Sequence, residues 1–350
     1  MKALALYLPA FHEIPENNQW WGDGFTEWDN VKSGKSYYQG HVQPVEPIQN
    51  DYYDLSHSAD IVKQIKLAQS YSISGFIMYH YWFSQDKQLF TKPAKLLRNQ
   101  IKEKIEYAFC WANESWITTW HGKDPNTLIE QTYGPASEWR SHIEYLHTFF
   151  EDERYIKING HPLLFIYKPN NIPDYENMLD FWNTVLAKKG MESVYAVEFI
   201  SSKNRTLFSQ KTNAVVEFEP LYTTYFDLPL VKTAKRAFAK LTKQIDFQDY
   251  DILWRKILQR QRTYSGKPIF KSCFVSWDNS PRKEKNSMIV KGATAAKFQS
   301  YLSQLVSSDR PYTRDDYLII NAWNEWSEGA FLEPSKQYGY DYLQAVKNAL

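Results

Sequence analysis

Short apolar runs recur along the chain and alternate with longer segments in which apolar residues are three or four positions apart. Such runs are typical of parallel strands that are buried on both faces, and the longer segments are typical of amphipathic helices. The runs predict eight strands: Ala3–Leu8, Ile73–Trp82, Glu106–Trp111, Leu163–Tyr167, Val194–Ile200, Ala214–Glu219, Ile269–Trp277 and Tyr317–Trp323. The segments between them predict a helix ending at Tyr71 and further helices at Leu89–Ile105, Ala136–Asp152, Asp174–Lys188, Thr294–Ser307 and Tyr340–Ala349.

This alternation predicts an α/β fold, a (β/α)8 TIM barrel, with residues 1–350 forming a single catalytic domain. A doubly wound open sheet is the structural alternative, but it usually carries a glycine-rich turn after its first strand, and residues 9–12 contain no glycine. Two segments are longer than ordinary connections. Residues 11–50 predict a long functional loop, and residues 221–265 predict a charged helical insertion after the sixth strand.

The charge balance narrows the choice of partners. Lys+Arg 41 against Asp+Glu 40 gives a net charge of +1, which argues against a dedicated surface for nucleic acid or anionic membranes. No apolar run is long enough to span a membrane, and the first residues do not resemble a signal peptide. The two cysteines predict buried free thiols. Together these features predict a cytoplasmic protein.

The aromatic residues indicate a different kind of partner. They make up 17% of the chain and include 13 tryptophans, several of which stand next to Asn, Asp or Glu. An indole combines a broad apolar face with one N–H donor, which suits the face and the hydroxyl rim of a sugar. The eight histidines show no metal-ligand spacing, so neither a metal nor another cofactor is expected.

Glu325 and Glu328 follow the last predicted strand and are the candidate catalytic pair. Residues three apart on a regular strand face opposite sides, so both can face one ligand only if the chain turns near Trp326, and Gly329 makes such a turn easy. Paired carboxylates with aromatic walls are typical of glycoside cleavage, in which one group holds a proton and the other is ionised. The structural alternative is that either glutamate holds a lysine or a loop amide.

Several motifs resemble the WbsX-type family, the glycoside hydrolase family 99-like proteins. The resemblance runs almost from end to end of the chain. It is carried by residues 8–12, 14–17, 20–22, 24–28, 75–83, 111–116, 162–169, 216–218, 277–282, 321–329 and 332–334.

The resemblance implies a (β/α)8 barrel and an association with bacterial surface polysaccharide. By the same resemblance, Glu325 would deprotonate the 2-hydroxyl of the substrate, which attacks the anomeric carbon, and Glu328 would act as the acid and then as the base. The hydrolase relatives cleave internal α-mannosidic bonds with retention. The expected function is therefore retaining cleavage of internal α-glycosidic bonds in an oligo- or polysaccharide.

Residues beside the predicted strand ends and within the matching motifs are expected to bind this substrate: Trp21, Glu27, Trp28, His80, Trp82, Asn113, Glu114, Trp116, Glu217, Trp277, Asp278, Trp323, Asn324, Trp326 and Glu333. Two other functions stay open. The first is a glycosyltransferase on the same scaffold that acts in O-antigen or capsular polysaccharide biosynthesis, and the second is a glycan-binding module without catalysis. Neither the sugar nor the linkage follows from the sequence.

Overall fold

Eight parallel strands close into a barrel in the computed structural model. The barrel strands are β1 (Lys2–Tyr7), β2 (Ile73–Ser84), β3 (Glu106–Trp111), β4 (His161–Ile166), β5 (Tyr195–Ile200), β6 (Ala214–Glu217), β7 (Ile269–Phe274) and β8 (Thr313–Asn321). Each strand pairs with the next along the chain, and β1 pairs with both β8 and β2, which closes the cylinder. The predicted fold class is therefore confirmed. The structure describes residues 1–118, 126–201, 206–228, 238–239, 241–242 and 244–350.

Helices connect the strands and cover the outside of the barrel. The helices are α1 (Pro15–Trp21), α2 (Glu27–Lys32), α3 (Ser58–Ser70), α4 (Thr91–Asn99), α5 (Ala136–Phe150), α6 (Tyr175–Lys188), α7 (Leu221–Phe226), α8 (Tyr250–Gln259), α9 (Ser280–Lys283), α10 (Ala295–Val306) and α11 (Asp341–Ala349). The largest difference from the predicted bounds is in α4, which ends at Asn99 rather than Ile105.

The apolar runs form strands because both of their faces are covered. In β1, every residue from Ala3 to Tyr7 is buried, with Ala3 aligned to Leu318 of β8 and Leu4 aligned to Ile319. Inward side chains fill the barrel and outward side chains pack under the helices, so a polar residue has no place on either face without a partner. The polar side chains that do lie within strands, such as Glu198 and Lys271, are accordingly hydrogen-bonded.

The two long connections differ from their predictions. Residues 11–50 are not one irregular loop, because α1 and α2 lie within them. The segment 221–265 is only partly helical: between α7 and α8 it contains a strand, Asp246–Asp249, that pairs in parallel with Met288–Lys291. Residues 229–237, 240 and 243 of the predicted insertion lie outside the described residues.

Two smaller features complete the description. Cys110 and Cys273 are buried free thiols, as predicted. Across the part of the chain that the structure describes, no helix has both the length and the apolar character needed to cross a bilayer.

Candidate active site

A cleft of about 590 Å³ opens at the carboxyl end of the barrel, a size typical of sites for small ligands. Its wall combines tyrosines, one indole, carboxylates and two cationic side chains. The lining residues are Tyr79, Tyr81, Ala112, Glu114, Tyr167, Phe218, Leu221, Tyr225, Gln244, Asp246, Trp277, Asn279, Arg282, Lys283, Asn286, Ser287, Met288, Glu325 and Glu328.

Glu325 and Glu328 reach this cleft because the chain turns sharply after β8. Asn324–Glu325 pairs in an antiparallel manner with Ala330–Phe331, and Trp326–Glu328 between them forms one turn of 3-10 helix. Gly329 ends this turn at φ +63°, where a Cβ would lie 2.7 Å from the backbone nitrogen of Asp278. Only glycine fits both the backbone angle and the close approach. The two carboxylates therefore face one cleft.

Arg282, in α9, joins the two carboxylates. Its Nη1 donates to Oε1 of Glu328 at 2.9 Å, and its Nη2 lies 3.6 Å from Oε2 of Glu325. Both groups thus face one planar cation, while Oε2 of Glu325 accepts no hydrogen bond from any described residue. This oxygen is itself buried, so it is an unsatisfied acceptor within the wall of the cleft.

The surroundings of Glu325 favour its protonated form. Burial raises the pKa of its carboxyl to about 8, against the lowering effect of Arg282, and the neighbouring Glu328 and Glu27 raise the pKa further. Glu325 therefore holds a proton near neutral pH while remaining able to release it. A carboxyl with these properties is suited to acid–base chemistry.

Glu27 lies behind the pair rather than on the cleft wall, so its expected contact with substrate is corrected. Its Oε1 accepts from Nε and Nη2 of Arg282 at 2.9 and 2.6 Å and from the hydroxyl of Ser327. Its Oε2 accepts from Asn30 at 3.1 Å. Because both oxygens are occupied, Glu27 anchors the arginine.

Asn324 and Trp323 attach the segment that carries the candidate pair to β1 and do not line the cleft. The Asn324 amide accepts from the Leu8 nitrogen at 2.7 Å and donates to the Leu8 oxygen at 2.9 Å. The backbone nitrogen of Trp323 donates to the backbone oxygen of Leu6 at 2.7 Å. The indole ring of Trp323 packs on Phe76. These two residues fix the backbone on which the pair stands.

Glu333, Trp326 and Trp28 form a buried layer beneath the segment. Glu333 accepts from the Trp326 indole at 2.6 Å, from the Tyr53 hydroxyl at 2.8 Å and from Gln64 at 2.7 Å. Burial raises the pKa of Glu333 to about 7 against these hydrogen bonds. The Trp28 indole packs on Trp326. All three residues support the site without facing the cleft.

The end of β2 presents tyrosines to the cleft and turns its other face outward. Tyr79 and Tyr81 line the cleft, whereas His80 lies 2.9 Å from His142 of α5 through their Nε2 atoms, and Trp82 stacks on the same ring. Successive strand residues point to opposite faces, so Tyr79 and Tyr81 lie on the cleft face of β2, and His80 and Trp82 do not. Burial lowers the pKa of His80 to about 3, which keeps it neutral.

Around the end of β3, only Glu114 lines the cleft among the residues expected there. Asn113 bridges to β4, accepting from the Lys168 nitrogen at 2.7 Å and donating to the Lys168 oxygen at 2.8 Å. Trp116 packs against Tyr81 and Phe90 and lies behind the wall.

Trp21 lies at the carboxyl end of α1, where its ring contacts Phe25. It is not among the residues that line the cleft. Its contact with substrate stays a prediction.

Trp277 lines the cleft, but the adjacent Asp278 turns away from it. Asp278 accepts from His41 and Gln43 at 2.7 Å each and from the nitrogen of Ser280 at 3.0 Å. Burial would raise the pKa of Asp278, but these hydrogen bonds lower it overall. Asp278 thus holds the loops together.

Glu217 is also turned away from the cleft. It is paired with Arg260 and accepts from the Tyr264 hydroxyl at 2.9 Å. A position at the end of a strand does not show by itself whether a glutamate faces the cleft. Glu217 pairs with Arg260, which lies far from it in the sequence.

Sequence reasoning missed most of the cleft wall, including Tyr79, Tyr81, Tyr167 and Arg282. The alternation of side chains along β2 could have predicted the two tyrosines, because residues 79 and 81 lie on the same face of that strand. Arg282 lies in the matching motif 277–282, but its pairing with Glu27, which is 255 positions away, leaves no local signal. Among the described residues, no group of three or more His, Cys, Asp or Glu side chains is arranged to hold a metal ion.

Comparison with solved structures supports the barrel. The chain superposes on a glycoside hydrolase-like protein with a TM-score of 0.58 and 11% identity, covering 99% of this chain and 93% of that one. It superposes on a GH99 endo-alpha-mannosidase from Bacteroides thetaiotaomicron with a TM-score of 0.53 and 12% identity, covering 99% and 94%. At such low identity the likeness concerns the fold.

Sequence comparison identifies the family. WxcX, an uncharacterized protein of Xanthomonas campestris pv. campestris, is 30% identical over 352 residues, and its counterpart in strain B100 is 31% identical over 351 residues. Each match covers 99% of this chain and 49% of the relative, so the chain spans about half the length of these relatives. The family model described as Glycosyltransferase WbsX matches residues 3–346. The chain therefore belongs to the WbsX family.

Proposed function

We propose that this chain cleaves internal α-glycosidic bonds of a bacterial surface polysaccharide or its precursor, with retention of configuration. The observation that carries the proposal is the pair Glu325 and Glu328, which face one cleft and share the guanidinium of Arg282. The shared fold with a GH99 endo-alpha-mannosidase supports the choice of an α-linked glycan. The tyrosines and the Trp277 indole of the wall supply apolar faces on which sugar rings can stack.

In the first step the 2-hydroxyl oxygen of the sugar forms a bond to the anomeric carbon while the glycosidic bond breaks. The step starts from the form of the pair in which Glu325 has released its proton and Glu328 is protonated. Glu325 accepts the proton of the 2-hydroxyl, and Glu328 gives its proton to the departing oxygen. The product of this step is a 1,2-anhydro sugar. Two successive displacements at one carbon restore the original configuration, which makes the enzyme retaining.

In the second step Glu328 removes a proton from water, whose oxygen attacks the anomeric carbon. The bond from that carbon to the 2-oxygen breaks, and Glu325 returns its proton to the 2-oxygen. Both carboxyl groups then regain their starting states. No group outside this chain and its substrates is needed to balance either step.

Release of reducing ends from defined α-linked oligosaccharides tests this proposal. We expect wild-type protein to release them and Glu325→Gln and Glu328→Gln to lose that release while still binding the oligosaccharide. Lys285→Met, which removes an exposed cation outside the cleft, is the matched control and should act as wild type. Turnover that survives in both glutamine variants would overturn the assignment.

Transfer to an acceptor sugar is the second candidate, because the matching family model is described as a glycosyltransferase. An acceptor hydroxyl that replaced water in the second step would convert the same pair to transfer. Incorporation of a labelled sugar from a nucleotide donor, measured beside the release of reducing ends, separates the two functions. Incorporation without release would favour transfer.

A further inference from the structure

Two consecutive cations, Arg282 and Lys283, line the cleft and differ in what surrounds them. The guanidinium of Arg282 forms ion pairs with Glu27 at 2.6 Å and with Glu328 at 2.9 Å. The ammonium group of the partly buried Lys283 forms no hydrogen bond or ion pair with any residue that the structure describes. The described chain therefore supplies carboxylates for the first cation and none for the second.

The acid that follows Lys283 in the sequence is directed away from it. Glu284 adopts φ 48° and ψ −128°, a backbone conformation that residues other than glycine seldom adopt. Its carboxylate lies 3.6 Å from the ammonium group of Lys35, with 69% of the side chain exposed, and Glu284 does not line the cleft. The positive charge of Lys283 is thus not neutralised by its neighbour.

Amide side chains accompany Lys283 in this part of the wall. Gln244 and Asn286 line the same cleft and are exposed, and neither amide group is hydrogen-bonded to a described residue. The amide oxygen of Asn279 accepts from the backbone nitrogen of Met288 at 2.9 Å, whereas its Nδ2 donates to no residue of the described ranges. Hydrogen-bond donors therefore outnumber acceptors here, and a carboxylate or phosphate, which only accepts when ionised, matches them.

The other carboxylates of the wall leave the charge of Lys283 in place. Glu114 follows β3 and Lys283 follows β7, and these strands are four apart around the barrel, so the two residues lie on opposite sides. Asp246 is nearer, because its strand pairs with the strand that begins at Met288. It accepts from Gln248 at 2.5 Å, and no ion pair joins it to Lys283 in the described structure. The positive charge of Lys283 therefore remains available to a ligand.

We propose that Lys283 determines specificity by binding an anionic group, a carboxylate or a phosphate, on the glycan that enters the cleft. The part of this inference that concerns cleavage rests on the proposed function, to which it adds the charge class of the substrate. Arg282, the preceding residue, contacts both candidate acids, so the anionic group belongs to a sugar that is bound close to the pair. Lys283 itself takes no part in bond cleavage.

Matched pairs of small sugars test the anion site without any turnover. Methyl α-galacturonide differs from methyl α-galactoside by a carboxylate, and methyl α-mannoside 6-phosphate differs from methyl α-mannoside by a phosphate. NMR titration of the protein measures Kd for all four. In wild type we expect at least one anionic sugar to bind about tenfold more tightly than its neutral partner, the low end for a hydrogen bond to a charged group. The pair that shows the difference identifies the anion.

Variants at three positions assign the difference to Lys283. Lys283→Met should abolish it because the charge is lost, and Lys283→Arg should keep most of it. Lys285→Met removes an exposed cation two residues away and outside the cleft, and should bind as wild type. Asn286→Asp places a negative charge in this part of the wall and should weaken binding of the anionic sugar alone.

Three results would overturn the inference. The first is a wild-type protein that binds neither anionic sugar more tightly than its neutral partner. The second is a Lys283→Met protein that keeps the difference, and the third is an equal loss in Lys285→Met, which would indicate a general effect of net charge. If Lys283→Met does not fold, Asn286→Asp, at an exposed position, decides the question.

Kinetics separate this inference from the proposed function. On an acidic α-linked oligosaccharide, Lys283→Met should raise KM by about tenfold and leave kcat nearly unchanged, because the contact is the same in the ground state and the transition state. On the same oligosaccharide after its carboxylates are reduced or its phosphates removed, wild type and variant should be equal. Anion binding that needs Lys283 without turnover of any glycan would contradict the proposed function alone. Turnover of neutral glycans without anion binding would contradict this inference alone.

Discussion

Two clusters at the carboxyl end of the barrel share one composition and differ in what surrounds them. At β6, Glu217 and Glu219 surround Arg260; after β8, Glu325 and Glu328 surround Arg282. The β6 cluster is closed, because Thr223 donates to Glu219 at 2.7 Å and Asp227 also binds the arginine at 2.7 Å. In the β8 cluster, Glu325, Glu328 and Arg282 all line the cleft. A carboxylate pair with an arginine becomes a candidate site only where a ligand can reach it.

Replacing one acid in each cluster should give the largest contrast. We expect Glu325→Gln and Glu328→Gln to lower kcat by about 10³-fold or more, because each removes a group that moves a proton. Glu217→Gln should keep kcat per folded molecule close to wild type. Turnover of a defined oligosaccharide checks both. A loss of turnover in Glu217→Gln equal to that in Glu325→Gln would break the comparison.

Removing the two arginines should separate stability from activity. Arg260→Met leaves Glu217, Glu219 and Asp227 buried without their cation and should destabilise the protein by about 3–5 kcal/mol. Arg282→Met should cost less stability, since Glu325 already favours its neutral form. Urea unfolding followed by tryptophan fluorescence measures both values. Equal losses in the free energy of unfolding would show that the β8 cluster stabilises the fold as much as the β6 cluster does.

The dependence of stability on pH should come partly from the β8 segment. The pKa values of Glu325 and Glu333 are raised from 4.5 to about 8 and about 7. The unfolded chain therefore loses these protons first, and stability falls as pH rises from about 5 to 8, by at most about 1.4 kcal/mol per pH unit for each group. Glu325→Gln should flatten this fall. Unfolding midpoints across this pH range provide the check, and an unchanged slope would contradict the assignment.

Much of the architecture could be predicted from hydrophobic runs, because strands buried on both faces leave an uninterrupted apolar signal. The turn that brings Glu325 and Glu328 together was also predictable, since Gly329 permits it. The face of each strand end was harder to predict: the alternation along β2 assigns Tyr81 to the cleft and His80 to α5. The sequence around Glu27 and Glu217 does not indicate that each forms an ion pair with an arginine that is distant in the sequence.

The smallest contrast should come from two hydroxyl groups. Thr223 donates to Glu219, and Ser327 donates to Glu27. Thr223→Val should cost about 1–3 kcal/mol of stability with unchanged kcat, because the buried Glu219 oxygen loses its shorter hydrogen bond and keeps only that from the Thr223 backbone nitrogen. Ser327→Ala should instead change kcat by several-fold through the anchor of Arg282. Calorimetry measures the stability of the two variants, and steady-state kinetics measures their kcat. A loss of kcat in Thr223→Val, or an unchanged kcat in Ser327→Ala, would contradict this expectation.

The pairing of β1 with β8 has a consequence for the order of assembly. The acids stand just beyond the last barrel strand, and their backbone is fastened to Leu6 and Leu8 in the first. During synthesis, a ribosome-bound chain that lacks β8 has an open seam and neither acid. Under the proposed function, the two acids can therefore act only once β8 has been made and has paired with β1.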